Sequence, residues 1–229
     1  MNLWLKAREF SNVDKVIVLL LATSGYDDLL RNFLCFTNSS TLHFKNFLII
    51  TTDQEVCDIA NDMHVGCYKM ERSISSDQNP NNFADFGSLS YQQLILYRTN
   101  ITMQLLLMGF KPIIADIDTV WLSNPLKYLQ QPFMMQEQQN GMDYYDLAVT
   151  DDNGEVCGCF VALHNSEAAI LFWKELFDRH KELLRSAIAA GRLGSFSDSE
   201  QKLLTSMIYK GLYSKRAEIR VLPSRLFPS

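Results

Sequence analysis

The chain has 229 residues, of which 47% are hydrophobic and 11% aromatic, enough to bury a sizeable core and too apolar for a disordered segment. Its formal net charge of -5, with no Lys- or Arg-rich run, argues against the concentrated basic face that nucleic-acid binding requires. No apolar run reaches the roughly 18 residues of a membrane-spanning helix, and Lys6, Arg8 and Glu9 stand too early for a secretory signal.

Residues 15–22 are a continuous aliphatic run ending in Thr23-Ser24-Gly25, which predicts a strand buried on both faces and then a turn. Residues 27–36 carry Leu29, Leu30, Phe33 and Leu34 at helical spacing, with Ser24 or Asp27 as cap. A second strand is predicted at 46–51, a short helix at 55–63 and a third strand at 65–70. This alternation is the grammar of a doubly wound α/β sheet. Residues 73–86, with Pro80 among asparagines, read as a loop of a length often tied to function. Residues 91–108 form a long amphipathic helix through Leu94, Ile95, Tyr97, Ile101 and Leu105, ended by Gly109.

Residues 111–116 are a fourth strand, continued by 120–122 before Asn124-Pro125 turns the chain. The Gln- and Met-rich stretch 130–141 reads as a second loop. Strands follow at 146–150 and 159–163, separated by the turn-like Asp151-Asp152-Asn153-Gly154. Residues 166–188 form a long helix capped by Ser166, residues 199–210 another helix, and 219–222 a last strand. No repeat or linker divides the sequence, so one domain over 1–229 is expected. The odd count of five cysteines leaves at least one thiol without an intrachain partner. Cys157 and Cys159 are too close for a zinc knuckle, so the cysteines read as small buried hydrophobes.

The segment 113–122 carries the most chemistry. Asp116 and Asp118 stand at i and i+2 directly after Ile113, Ile114 and Ala115. In a continuing strand both side chains leave one face. The carboxyl end of a parallel strand is also where α/β sheets hold ligands. Two close carboxylates repel unless a cation stands beside them, and hard oxygen donors suit Mn2+ or Mg2+, with water or a diphosphate completing the shell. An acidic pair after a strand is otherwise an ordinary exposed turn. The apolar strand before it, Trp121 after it and Asn124-Pro125 distinguish this one.

Asp116-Ile-Asp118-Thr-Val-Trp121-Leu-Ser-Asn-Pro125 resembles the D-x-D-x-x-W-L-x-x-P signature of the nucleotide-diphospho-sugar transferases, in particular glycosyltransferase family seventy-seven. Weaker matches extend to 91–109, 158–161, Trp173, Glu200-Gln201 and 222–227. The resemblance implies a GT-A fold, with a Rossmann-like, mostly parallel central sheet flanked by helices. It implies a nucleoside-diphosphate-sugar donor, of the UDP type, a glycan or glycoprotein acceptor, a manganese or magnesium ion, retention of anomeric configuration and residence in the Golgi lumen. Carried over residue by residue, Asp118 ligates the metal, and Asp116 holds the ribose or sugar and shares the metal. Ala22, Thr23, Ser24 and Tyr26 line the base, and Asp53 accepts a hydrogen bond from it. Arg98 presents a cation to the phosphates or sugar, Asp151 or Asp152 binds sugar hydroxyls, and Gly158 lies on the donor side. Glu200-Gln201 takes the place of the family's Asp-Gln pair near the reacting carbon.

Each of these has a plainer reading: Arg98 as a surface cation, Asp53 as a helix cap, Asp151-Asp152 as a turn, and Glu200 as a first-turn acid favoured by the helix dipole. Trp173 reads as core, and His43, His64, His164 and His180, lacking paired spacing, as structural or surface residues. Two departures from the family pattern stand out. Glu200 replaces Asp, and no His follows His180, although related enzymes supply a metal-binding His near the C-terminus. Solvent and diphosphate would then complete the shell, or the chain would be a truncated form of low or no activity. Two other functions remain open at this point. One is a nucleotide-sugar-binding module without turnover. The other is a haloacid-dehalogenase-type phosphatase, whose D-x-D-x-[T/V] motif the segment also fits, although that motif normally follows the first strand.

Overall fold

The computed structural model describes residues 2–38, 42, 44–71, 88–129, 145–191, 199–211, 213 and 217–223. The predicted loops at 73–86 and 130–141, His43 and the 224–227 part of the C-terminal match lie outside the described residues. The apolar runs form β1 (Val16–Leu21), β2 (Phe47–Thr51), β3 (Gly66–Lys69), β4 (Lys111–Ala115), β5 (Leu147–Asp152), β6 (Glu155–Leu163) and β7 (Ile219–Leu222). They build a seven-stranded sheet in the order β3-β2-β1-β4-β6-β5-β7. Every neighbouring pair is parallel except the two made by β6, with β4 and with β5. The mostly parallel sheet expected from the sequence is present.

Seven α-helices accompany the strands: α1 (Leu3–Phe10), α2 (Asp27–Thr37), α3 (Gln54–Asp62), α4 (Leu89–Leu107), α5 (Leu126–Leu129), α6 (Glu167–Ala189) and α7 (Glu200–Tyr209) among the described residues. Alternation along β1 divides the core between the two faces. Val16, Val18 and Leu20 pack with Leu30 and Phe33 of α2 and Val56 of α3. Ile17 and Leu19 pack with Leu3 and Ala7 of α1 and Ile101 and Leu105 of α4. A further cluster joins α6 and α7 to β5 and β6 through Phe172, Trp173, Leu176 and Leu204. Covering both faces explains why β1 and β2 are nearly all-apolar instead of alternating.

Local chemistry sets the ends of the helices. Ser88 accepts from the Tyr91 N–H to open α4, Ser166 does the same for Ala169 in α6, and Gly109 closes α4 at φ +87°. Helix α1 has no counterpart among the predicted elements. Its signals are an Asn2 cap on the Trp4 N–H and buried Leu3 and Ala7 at i and i+4. It packs close to the sheet because Gly66 has no side chain: a Cβ there would lie 2.7 Å from Phe10 Cδ2.

Three predicted features change in the structure. First, β4 stops at Ala115 instead of continuing through 120–122. The chain turns at Asp116, whose carbonyl accepts from the Thr119 hydroxyl at 2.7 Å. Second, residues 146–163 form one long hairpin, and Asp151 and Asp152 belong to its strands. The turn itself is Asn153-Gly154, with φ of 54° and 89°, as a two-residue type I′ connection demands. The register jumps from Val149↔Val161 to Thr150↔Cys157, so 158–160 bulge out of the ladder. Third, four cysteines are not isolated hydrophobes. Cys57 of α3 and Cys67 of β3 are joined with Cα atoms 5.3 Å apart, Cys157 is joined to Cys159, and Cys35 is an exposed free thiol. The strand-helix-strand geometry that brings 57 to 67 is invisible in their spacing.

Candidate active site

The chain runs outward from β1 to β2 and β3, then returns to place β4 on the other side of β1. At such a reversal the carboxyl ends of the two central strands open a crevice. From β1 it receives Ala22, Thr23 and a 3-10 turn over Ser24–Tyr26; from β4 it receives the Asp116 turn. Helix α4 closes the third side. Two cavities meet there. One, of about 220 Å3, is lined by Ala22, Thr23, Tyr26, Arg98, Asp116 and Asp118 among others. The second, of about 390 Å3, is lined by Gln92, Arg98, Asp116, Gly158, Glu200 and Gln201 among others. The two share Tyr91, Ile95, Arg98 and Asp116.

Arg98 is the hub of the crevice. It is 4% exposed and forks between two carboxylates, with Nη1 2.9 Å from Asp116 Oδ1 and Nη2 2.7 Å from Glu200 Oε2. Burial alone would favour the neutral guanidine, but Glu200 and then Asp116 outweigh it and raise the pKa above the ordinary arginine value. Glu200, 3% exposed, has its other oxygen 3.0 Å from the Thr99 hydroxyl. Neither the surface-cation reading of Arg98 nor that of Glu200 as a solvated first-turn acid fits this burial. For Asp116, burial pushes the carboxyl pKa up, Arg98 opposes that, and the nearby Asp118 adds to the rise. The bulge in β6 carries Gly158 to the opposite wall, where its N–H donates to Gln201 Oε1 at 3.4 Å.

Trp121 explains why the acidic turn holds its place. Its buried ring lies 5.5 Å from Phe33, 5.4 Å from Phe44, 5.9 Å from Phe47 and 6.1 Å from Phe160, centroid to centroid. Most of these contacts are edge-on, the arrangement aromatic quadrupoles favour. The segment that leaves Asp118 is thus nailed to the core three residues later. Trp121→Phe, which keeps one ring and loses the rest, is expected to lower unfolding stability by about 1–2 kcal/mol. Chemical denaturation measures this directly, and an unchanged midpoint would remove the anchoring role.

The remaining predicted residues fall into two groups. Ala22, Thr23 and Tyr26 line the smaller cavity, while Gly158, Glu200 and Gln201 line the larger. Ser24 and Asp53 are not among the residues lining either cavity; Asp53 Oδ2 accepts from the Ser24 N–H at 2.9 Å and so braces the β1 turn from behind. Asp53 sits at the N-cap of α3 but makes no side-chain cap bond. Asp151 accepts from the Gly154 N–H and the Tyr209 hydroxyl, and Asp152 from the Asn153 amide, outside both cavities. Trp173 is fully buried and donates to the Thr99 carbonyl, as a core residue. The sequence reading missed Gln92, Thr99 and His180 as buried polar neighbours of Arg98. A signal existed, since Gln92, Thr99 and Thr102 interrupt the apolar face of α4.

The two cavities are lined by four carboxylates, Asp116, Asp118, Glu155 and Glu200, against two cations, Arg98 and Lys202. An anionic ligand cannot enter such a site favourably without a cation of its own. Among the described residues no group of three His, Cys, Asp or Glu side chains converges as a metal cage. What the chain offers is the Asp116 and Asp118 pair, one Asp116 oxygen being engaged by Arg98. Two oxygen donors of this kind fit a Mn2+ or Mg2+ that takes its other ligands from a diphosphate and water.

Comparison with known proteins follows the same lines. A family model described as nucleotide-diphospho-sugar transferase matches residues 42–228. The chain is 21% identical to a UDP-galactose:fucoside alpha-3-galactosyltransferase of Dictyostelium discoideum, covering 94% of this chain and 36% of that protein. It is 24% identical to a UDP-D-xylose:L-fucose alpha-1,3-D-xylosyltransferase of Arabidopsis thaliana, covering 74% of this chain and 47% of that protein. The chain thus spans less than half the length of these relatives. Among solved structures, the bifunctional glycosyltransferase WbbM in its apo form superposes with a TM-score of 0.51 at 11% identity, over 93% of this chain and 39% of that one. At that identity the likeness speaks for the fold, a GT-A arrangement.

Proposed function

Because the chain belongs to the nucleotide-diphospho-sugar transferase family, we propose that it is the catalytic part of a metal-dependent, retaining glycosyltransferase. It moves a sugar from a UDP-sugar to a hydroxyl of a glycan or glycoprotein. The observation that carries this reading is the meeting of Asp116, Asp118, Arg98 and Glu200 at the wall shared by two cavities, on the strand reversal. The phosphatase alternative loses its footing, because the acidic pair follows the fourth strand in the chain and lies in the stretch matched by the transferase family.

In this reading the smaller cavity takes the nucleotide, with Ala22, Thr23 and Tyr26 against the base, and the larger takes the sugar beside Gly158 and Gln201. Asp116 and Asp118 hold Mn2+ or Mg2+. When bound, the ion neutralises the charge that the diphosphate gains as the sugar leaves. Arg98 lies at the junction and fixes the Asp116 carboxylate while adding positive potential beside the phosphates. Glu200 is assigned no nucleophilic role in this reading, since one oxygen is held by Arg98 and the other lies beside the Thr99 hydroxyl. It orients Arg98 instead, and transfer proceeds on one face of the sugar. Asp151 and Asp152, occupied at the hairpin end, are assigned no sugar contact.

The two disulfides fit an oxidising compartment, which supports the Golgi lumen as the site of action. No helix among the described residues is long and apolar enough to cross a membrane.

A thermal-shift screen of UDP-sugars with Mn2+ or with chelator tests the proposal. A UDP-sugar at about 100 times its dissociation constant stabilises the folded chain by about 2.7 kcal/mol, and this shift is expected only with Mn2+ present. Equal stabilisation in chelator would overturn the metal-dependent reading. Binding followed by no turnover on fucosylated or other glycan acceptors would leave a nucleotide-sugar-binding module in its place.

A further inference from the structure

The wall of the larger cavity carries polar atoms that no other described residue satisfies. Gln92 is 2% exposed and lines this cavity, and His180 of α6, wholly buried, packs behind it. His180 Nε2 lies 3.2 Å from Gln92 Oε1. Burial pushes the His180 imidazole below its ordinary pKa, with Glu200 opposing and Arg98 reinforcing the drop, so the ring is neutral near pH 7. A neutral ring pairs with the amide oxygen by donating its Nε2–H. Gln92 Nε2, His180 Nδ1 and Arg98 Nε then have no hydrogen-bond partner among the described residues. Buried polar atoms normally find partners, and two of these orphans, on Gln92 and Arg98, belong to residues that line the larger cavity, which points to a ligand there.

We propose that Gln92 is a specificity-determining residue of the transferase, its amide donating to a hydroxyl oxygen of the transferred sugar, and that His180 is the positioning residue holding that amide by its carbonyl end. The inference rests on the assignment of the larger cavity to the sugar. The chemistry of the wall favours a neutral polyol there. The guanidinium of Arg98 is already engaged by two carboxylates, and Asp116, Glu155 and Glu200 outnumber Arg98 and Lys202 on this wall, which disfavours an anion, whereas an amide N–H is matched to a hydroxyl oxygen. Gln92 stands in the first turn of α4, six residues before Arg98. One helix thus presents the phosphate-side cation and the sugar-side amide in fixed register.

Calorimetric titration in Mn2+ with UDP, and with the tighter of UDP-galactose and UDP-xylose, tests this. Gln92→Met conserves volume and flexibility while removing the amide. It is expected to leave the UDP dissociation constant within about twofold of the wild type and to weaken the UDP-sugar by about tenfold, the worth of one neutral hydrogen bond. Because Gln92→Met leaves the imidazole without its partner, Gln92→Met/His180→Phe is the second variant; replacing both partners by apolar groups spares the fold. It should show the same selective loss. UDP-sugar affinity within about twofold of the wild type in either folded variant, or equal weakening of UDP and UDP-sugar, overturns the inference while the transferase reading stands. A wild-type protein that binds neither UDP nor the UDP-sugars sinks both.

Discussion

Arg98→Met is expected to destabilise the protein by about 3–5 kcal/mol and to abolish transfer. Removing one member of a buried ion pair leaves the other charge in a medium that cannot solvate it, and here Glu200 is stranded at 3% exposure with, among the described residues, the Thr99 hydroxyl as its remaining side-chain partner. Lysine is no substitute, because a single ammonium cannot fork between Asp116 and Glu200 as the planar guanidinium does. The double variant Arg98→Met/Glu200→Met separates the two consequences. With both charges gone, apolar packing should recover most of the lost stability, whereas activity should stay absent, because the guanidinium that holds Asp116 and faces the phosphates is gone. Urea denaturation of the single and double variants, beside a transfer assay, measures both. Recovery of activity in the double variant would mean that Arg98 serves the fold alone.

Asp118→Asn should reduce kcat/KM by about 10^3-fold or more, an effect of about 4 kcal/mol on the barrier, while leaving the unfolding midpoint nearly unchanged. The side chain is exposed at the rim of the smaller cavity, so its loss disturbs no packing. Under the proposed function its value lies in the second anionic donor that a hard cation needs where the described residues offer Asp116 and Asp118. The same variant should lose the Mn2+-dependent part of the thermal shift with UDP. A variant that keeps both the shift and the rate would remove Asp118 from the metal site. Arg98→Met and Asp118→Asn thus fail differently, the first in fold and function together and the second in function alone.

Much of this arrangement is written locally in the chain. The strands of the parallel half announce themselves as apolar runs, because burial on both faces leaves no polar alternate positions in Val16–Leu21 or Phe47–Thr51. The acidic pair is legible because an apolar strand, two carboxylates and an aromatic anchor occur within ten residues. What the sequence hides is long-range. Arg98 and Glu200 are 102 residues apart and His180 and Gln92 88 apart, and no periodicity links them. The hairpin register is also hidden, since a bulge at 158–160 shifts which side chains oppose each other without any change in strand propensity. Asp151 and Asp152 look like ligand acids in the sequence because their partners, the Gly154 N–H and the hydroxyl of Tyr209 on α7 for Asp151, come from a turn and a helix that composition does not place beside them.

The two cavities meet along a single partition that α4 and the Asp116 turn supply, and beyond it they draw on different parts of the chain. One side is built from the β1 exit and the acidic turn, the other from β6 and the start of α7. Such a division lets each half diverge separately. Replacements on the β6 and α7 side can retune one compartment while the other keeps its shape, and descendants of one ancestral scaffold can come to handle different cargo without rebuilding the common grip.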